Sequence, residues 1–177
     1  MTTSADEPLW VLRAQYGDRD ALEVLLRSVQ PSLQRYLRGL VGSDDSPDLL
    51  QDVLVLIYRK LQGLDNPEVF RPWAFRIATR AAFRHLRKRR NLPLHVGEDA
   101  LDYLADPAPT PVDGAALLSL VGAVSPASRA VLVLHFQEEM TLVEVAAVLE
   151  IPLGTVRSRL AYGLSMLRKL LADEDKS

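Results

Sequence analysis

A proline-rich segment at residues 104–114, LADPAPTPVDG, constrains the fold more than any other feature of the chain. Three prolines and a glycine in this stretch argue against a continuous helix and are typical of an extended linker. The sequence on either side carries apolar residues at helical spacing, and it shows no alternating strand pattern bounded by turns. We therefore predict an all-α fold with two small helical domains, residues 1–90 and 115–177, joined by a flexible, acidic linker at 91–114.

The N-terminal part is predicted to contain amphipathic helices. One apolar face recurs at helical spacing through Leu22, Leu25, Leu26, Val29, Leu33, Tyr36, Leu37 and Leu40. Pro31 lies within this pattern, and we expect it to kink the helix or to start a new one. A further helix is predicted to begin with Ser46 as its N-cap and Pro47 at its first position, and to end at Gly63.

The segment 73–90, WAFRIATRAAFRHLRKRR, contains seven basic residues and no acidic one, although the whole chain has a net charge of −2. On a helical wheel its alanines, Ile77 and Leu86 form a core face, and Trp73 and Phe83 border the opposite side. That opposite side is a basic stripe consisting of Arg76, Arg80, Arg84 and Arg87.

Like charges four residues apart destabilise a helix by roughly 0.2–0.5 kcal/mol per pair, so the basic stripe favours a polyanionic partner. Aromatic rings beside it suit stacking on unpaired bases. Two alternatives remain open from this helix alone. In the first, the stripe is a solvated face, and Trp73 and Phe83 fill the core. In the second, the stripe binds an anionic membrane or an acidic protein.

The segment 141–160, TLVEVAAVLEIPLGTVRSRL, has the pattern of a helix-turn-helix. Thr141 and Glu144 match a capping box at its start. The second helix opens with side chains that suit base edges and phosphates, namely Thr155, Arg157, Ser158 and Arg159. The core between the helices is predicted to contain Val145, Ala146, Leu149, Ile151, Val156 and Leu160. A plain packing hairpin is the alternative.

The composition argues against several classes of protein. Without cysteine there is no thiolate nucleophile or disulfide, and three scattered histidines make a zinc site improbable. We find no phosphate-binding loop and no nucleophile–base pair, so we predict neither an enzyme nor a cofactor, metal or small-molecule substrate. No apolar run approaches the roughly 20 residues that span a bilayer, and no secretory signal is visible, so we expect a cytoplasmic protein without a membrane partner.

Considered together, three segments resemble the extracytoplasmic-function (group 4) sigma factors of bacterial RNA polymerase. They are DLLQDVLVLIYRKL and FRPWAFRIATRAAFRHLRKRR, which resemble region two, and TLVEVAAVLEIPLGTVRSRLAYGLSMLRKLL, which resembles region four. The resemblance implies a factor that does not catalyse. It would bind core polymerase, direct it to particular promoters and help to open the DNA.

The resemblance also implies site residues. Region two would dock on the clamp helices of the largest polymerase subunit through Asp48, Leu49, Gln51, Asp52 and Tyr58. It would meet the minus-ten element, including a base flipped from the non-template strand, through Asn66, Phe70, Trp73, Arg76, Arg80, Arg84, Arg87 and Lys88. Region four would read the minus-thirty-five element through Thr155, Arg157, Ser158, Arg159 and Tyr162.

Further partners follow from the same resemblance. They are the flap of the second-largest polymerase subunit for region four, an anti-sigma factor that covers both halves, and the RNA exit path for the linker.

The chain departs from the family pattern at four positions. Asn is common where it has Arg80, an acidic or amide residue where it has Arg84, and Arg where it has Tyr162. Gly is usual where it has Glu150, and a side chain at positive φ there costs on the order of 1 kcal/mol. These departures keep open a degenerate sigma-like protein that sequesters a partner. A stand-alone helix-turn-helix regulator that binds duplex DNA is a separate alternative; the dimerisation surface expected of one is not visible in the sequence.

Overall fold

The structure, a computed structural model, describes residues 6–89 and 124–174. The first range contains four α-helices: α1 (Glu7–Gln15), α2 (Arg19–Val41), α3 (Ser46–Lys60) and α4 (Phe70–Arg89). Short 3₁₀ turns at Leu61–Gly63 and Pro67–Val69 connect α3 to α4. The second range contains α5 (Pro126–Leu132), a π-helical turn (Val133–Gln137), α6 (Leu142–Leu149) and α7 (Leu153–Glu174). We call these two ranges the N-terminal half and the C-terminal half.

The predicted all-α fold is confirmed, since these two ranges contain helices and turns but no strand. The predicted linker at 91–114 lies outside the described residues, and the predicted domain boundaries stay a prediction. Among the described residues, no helix is long and apolar enough to cross a membrane.

Helix α2 is the centre of the N-terminal half. Asp18 caps it by accepting a hydrogen bond from the Ala21 backbone N–H at 3.0 Å. The helix runs through Pro31 without ending, so the expectation that Pro31 could start a new helix is wrong. Burial of Val29 and Leu33 on either side of the proline holds the segment helical, and this outweighs the one hydrogen bond that proline removes.

Helix α3 begins one residue earlier than predicted. Ser46 is its first residue and not its N-cap, because its side chain is buried and its hydroxyl accepts a hydrogen bond from Gln34. The preceding Asp45 instead pairs with His85 and Arg89 of α4, at 3.1 and 3.0 Å. The α-helix stops at Lys60, and a 3₁₀ turn carries the chain on to Gly63.

The core of the N-terminal half lies where α2, α3 and α4 meet. Tyr36 and Phe75 are fully buried and pack edge to face, with ring centroids 5.3 Å apart. The Tyr36 hydroxyl and Thr79 Oγ1 lie 2.7 Å apart, and burial raises the pKa of Tyr36 well above its usual range. This hydrogen bond satisfies two buried hydroxyls at the α2–α4 contact and fixes the rotation of α4.

The predicted start signals in the C-terminal half are confirmed. Ser125 caps α5, and Thr141 and Glu144 form a reciprocal capping box at the start of α6. The predicted core between α6 and α7 is also present, since Val145, Leu149, Ile151 and Val156 are buried and Ala146 and Leu160 pack against them.

The two halves pack against each other. Helix α5 contacts α2, and helix α6 contacts α4, so the buried apolar residues of both halves form one cluster. Arg129 of α5 is buried in this contact, and its guanidinium donates to the carbonyl oxygens of Gly39 and Leu40 at 3.2 and 3.4 Å. This packing places the helix-turn-helix directly beside the basic helix α4.

Candidate nucleic-acid interface

The basic face of α4 is narrower than the sequence predicts. Arg80 and Arg84 are exposed and Arg76 is half-buried, but Arg87 is only 9% exposed and Phe83 is in the core. The prediction that Arg87 continues the exposed stripe is therefore wrong, as is the prediction that Phe83 borders it. Helix α4 packs against α2 and α3 and also against α6, so its buried surface is wider than a single core face.

The residues before and at the start of α4 divide into surface and core. Asn66 is exposed, and its side-chain oxygen accepts a hydrogen bond from the Glu68 backbone N–H at 3.0 Å. Phe70 is 0% exposed, which corrects the prediction that it contacts DNA directly. Its ring instead supports the half-buried Trp73, with ring centroids 6.1 Å apart.

A surface groove of about 190 Å³ lies between α3 and α4. Its polar wall combines Lys60 at the end of α3 with arginines of α4, and the Trp73 ring lies in the same groove. We call this the basic groove; its charged and aromatic members are Lys60, Trp73, Arg76, Arg80 and Arg84. Lys60 was not predicted from the sequence, because its position at the end of another helix gives no sign that it faces α4. The groove combines cations for phosphate with a ring on which a base can stack.

An acidic side chain from the C-terminal half already lies on this basic surface. Arg80 makes a bidentate ion pair with Glu150. The Nη2 atom of Arg80 donates to both carboxylate oxygens of Glu150, at 2.6 and 2.8 Å, and the Nε atom of Arg80 donates to Oε2 at 3.0 Å. Arg76 Nη1 lies 3.9 Å from the same carboxylate. Glu150 ends α6 with φ 56° and ψ 40°, so the expected left-handed conformation at this position is present. Two positions that depart from the family pattern therefore contact each other.

A second acidic residue also crosses between the halves. The Glu138 carboxylate lies 3.6 Å from Arg35 of α2 and 3.7 Å from Arg71 of α4, and its side chain is 1% exposed. Both arginines also donate to Ser32 Oγ, at 3.1 and 2.8 Å. Burial raises the pKa of Glu138, and Arg35, Ser32 and Arg71 partly offset this effect. No pattern in the sequence predicts this contact.

The predicted recognition residues of α7 lie near its N-terminal end. Arg157, Ser158 and Tyr162 are exposed, and Thr155 and Arg159 are half-buried. The Ser158 hydroxyl donates to the Thr155 carbonyl oxygen at 3.0 Å. Backbone N–H groups in the first turn of a helix favour anions, so this end of α7 suits a phosphate backbone.

The outer face of α3 carries most of the residues predicted to bind a protein partner. Asp48, Gln51, Asp52 and Tyr58 are exposed, and the missed Val55 is 46% exposed between them. Leu49 is 8% exposed, which corrects the prediction that it contacts a partner. It lies four residues before Val53 and eight before Ile57, so the helix turns it towards the core.

Comparisons with known proteins match both halves. The family profile described as Sigma-70 region 2 matches residues 25–92, and Sigma-70, region 4 matches residues 120–169. The RNA polymerase sigma-E factor of Streptomyces avermitilis is 31% identical over 163 residues, which cover 90% of each chain. The ECF RNA polymerase sigma factor SigW of Bacillus subtilis is 26% identical over 179 residues, which cover 92% of this chain and 95% of that protein.

Solved structures share the fold. CnrH in complex with the cytosolic domain of CnrY has a TM-score of 0.70 at 24% identity, with 94% of this chain and 97% of that chain covered. The sigma factor RpoE in complex with the anti-sigma factor NepR, from Bartonella quintana, has a TM-score of 0.65 at 20% identity, with 85% and 96% covered.

Two matched sigma regions in the expected order define a transcription initiation factor of the sigma class, which is not an enzyme. The chain belongs to the extracytoplasmic-function group of the sigma-70 family of RNA polymerase sigma factors. The resemblance noted from the sequence motifs is thereby confirmed.

Proposed function

We propose that this chain is an alternative sigma factor that binds core RNA polymerase, directs it to specific promoters and helps to open the DNA there. The observation that carries the proposal is the pairing, in one chain with both sigma regions, of a basic groove beside Trp73 and a helix-turn-helix with exposed polar residues. The basic groove suits an opened strand, and the helix-turn-helix suits the major groove of a duplex.

In this proposal the N-terminal half engages the minus-ten element. The basic groove takes the phosphates, and each phosphate contact releases counterions. Trp73 and Asn66 border the point where duplex gives way to a flipped base, and extruding that base costs a few kcal/mol. Phe70 and Arg87 act from within the protein by supporting Trp73 and α4. The exposed Lys88 adds a further cation to the end of the helix.

The C-terminal half reads the minus-thirty-five element. Its recognition residues are those at the start of α7, namely Thr155, Arg157, Ser158, Arg159 and Tyr162. Tyr162 is 46% exposed and occupies a position where family members often carry arginine, so it supplies a neutral contact there.

The outer face of α3 docks on the clamp helices of the largest polymerase subunit. Its exposed Tyr58 is of a residue type enriched at protein interfaces, and its exposed carboxylates, Asp48 and Asp52, suit a partner surface of complementary charge. The C-terminal half contacts the flap of the second-largest subunit. The proposed domains are 1–90 and 115–177, with the linker between them near the RNA exit path.

The proposed location is the cytoplasm of a bacterium. The resemblance to the sigma factor RpoE in complex with the anti-sigma factor NepR supports an anti-sigma factor as a further partner.

Transcription in vitro tests the proposal. Core polymerase and the chain are incubated with a library of randomised promoters, and the 5′ ends of the transcripts are sequenced. We expect specific initiation only when both proteins are present, from fragments enriched in two spaced elements. Tight, specific binding to duplex DNA without polymerase would contradict the proposal and favour a stand-alone regulator.

Two charge-reversal variants test whether the outer face of α3 docks on polymerase. Asp52→Arg on the outer face of α3 should abolish polymerase-dependent transcription. Asp44→Arg should leave it unchanged, because Asp44 is an exposed carboxylate in the turn before α3 and makes no ion pair among the described residues. Equal loss in both variants would show that the outer face of α3 does not dock on polymerase.

A further inference from the structure

The ion pair between Arg80 and Glu150 joins residues 70 positions apart in the sequence. Two nitrogens of the Arg80 guanidinium donate to one carboxylate. Arginine binds a phosphate with the same bidentate geometry. Arg76, the next arginine of the basic groove, faces the same carboxylate. Glu150 therefore occupies the place on α4 where the proposed function puts a promoter phosphate.

The backbone at Glu150 adds to this observation. A left-handed conformation with φ 56° favours glycine, yet the chain carries a long acidic side chain there. That side chain reaches across to the opposite half and meets two arginines. Glu150 thus keeps an unfavourable backbone conformation, and its side chain makes an ion pair with Arg80 that a glycine could not make.

Independent contacts hold the two halves in the same arrangement. Glu138 is buried between Arg35 and Arg71, and Arg129 donates to carbonyl oxygens at the end of α2. Apolar residues of both halves share one cluster. The Arg80–Glu150 pair is thus the exposed edge of a larger contact and the part that borders the basic groove.

We propose that the free chain closes on itself, with Glu150 as an internal competitor for promoter phosphate at Arg80 and Arg76. In the closed form these two arginines bind Glu150, and in the DNA-bound form they bind phosphate; one guanidinium face cannot do both. Promoter binding therefore requires that the helix-turn-helix leave α4. This inference rests on the proposed function, because it names the regulation of the same groove.

The first test measures affinity for DNA without polymerase. The full chain is titrated into a fluorescein-labelled single-stranded oligonucleotide of random sequence, and anisotropy is followed. Because the pair is half-exposed, Glu150→Gln should tighten binding by about two- to fivefold. Unchanged or weaker binding would overturn the proposal.

The chain offers a matched control for this substitution. Glu139 also has φ 56°, is exposed, and makes no ion pair among the described residues. Glu139→Gln removes the same charge from the same backbone conformation, so it should change the affinity by less than about 1.5-fold, since its charge is solvated and screened. Equal tightening in both variants would mean that net charge alone is responsible and would overturn the proposal.

The second test measures closure directly. The chain has no cysteine, so Gln30→Cys in α2 and Ser165→Cys in α7, both at exposed positions, give one spin label in each half. Pulsed electron resonance should give one short distance distribution for the free chain. Glu150→Gln should add a longer population, and excess oligonucleotide should shift the unsubstituted chain to that longer distance. A distribution that neither change affects would overturn the proposal.

A charge swap separates closure from DNA binding. With Arg80→Glu and Glu150→Arg together, the spin-label distance should be the short one of the unsubstituted free chain and not the longer one of Glu150→Gln. Affinity for the oligonucleotide should stay below that of the unsubstituted chain. Failure of the swap to restore the short distance would contradict a role for this pair. Both tests are independent of polymerase, so closure without promoter-specific transcription would reject the proposed function and not the closed form.

Discussion

At the scale of single residues, burial decides which basic side chain can meet DNA. Arg84 and Arg87 lie three positions apart on α4, and the sequence assigns them to one stripe. The structure leaves Arg84 exposed and buries Arg87, although both carry the same charge. The sequence could not show this difference, because the face that buries Arg87 depends on how the packed helices surround α4.

The two arginines should therefore respond differently to truncation. Arg84→Ala should lower affinity for single-stranded DNA and reduce the slope of log affinity against log salt by roughly 0.7, with no loss of stability. Arg87→Ala should lower the free energy of unfolding by about 1–3 kcal/mol, because it removes a buried guanidinium together with its packing and polar contacts. Salt-dependent anisotropy and urea denaturation measure the two effects. A stability loss at Arg84 that matched the loss at Arg87 would contradict the assigned burial.

At the scale of helices, local signals predict most starts and some ends. The capping box at Thr141 and the Ser-Pro start at Ser125 are read from a few neighbouring residues, and both are confirmed. The same Ser-Pro signal fails at Ser46, where tertiary contacts with α2 bury the hydroxyl. Pro31 fails as a break for the same reason, since packing of α2 overrides a local preference.

The capping box gives a prediction for α6. Thr141→Ala removes the oxygen that accepts from the Glu144 backbone N–H, so it should cost about 1 kcal/mol of stability. Thr141→Ser keeps that oxygen and should stay within about 0.5 kcal/mol of the unsubstituted protein. Urea denaturation of the three proteins measures this order. Equal loss in both variants would mean that the threonine methyl, and not the cap, stabilises the helix start.

At the scale of the whole molecule, the sequence predicts two helical halves and their family but not how the halves meet. Periodicity and caps act within about one helix, whereas Arg80–Glu150 and Arg35–Glu138 join residues 70 and about 100 positions apart. The sequence did single out Arg80 and Glu150, as separate departures from a family pattern. Only the structure brings them together.

The buried Glu138 makes the closed arrangement sensitive to pH. The pKa of Glu138 is raised in the closed form, chiefly by burial. Protonated Glu138 therefore stabilises the closed form. This stabilisation is fully present below the ordinary pKa of the carboxyl and is lost as pH rises through the raised pKa. The groups that face it are Arg35, Ser32 and Arg71. The closed population should therefore grow as pH falls between the raised and the ordinary pKa.

Spin-label distances recorded across this pH window check that expectation. Glu138→Gln should flatten the dependence, because the amide does not titrate. Glu139→Gln, in the neighbouring exposed position, should leave it intact. A dependence that persists in Glu138→Gln would assign the effect to another group.

Permanganate footprinting of a promoter selected from the randomised library measures promoter opening directly. Thymines near the minus-ten element should become reactive only when core polymerase and the chain are both present. Replacing Arg80 and Arg84 with alanine together should reduce that reactivity while polymerase binding persists. Reactive thymines without the chain, or an unchanged footprint in the double variant, would contradict the assignment of α4 to promoter opening.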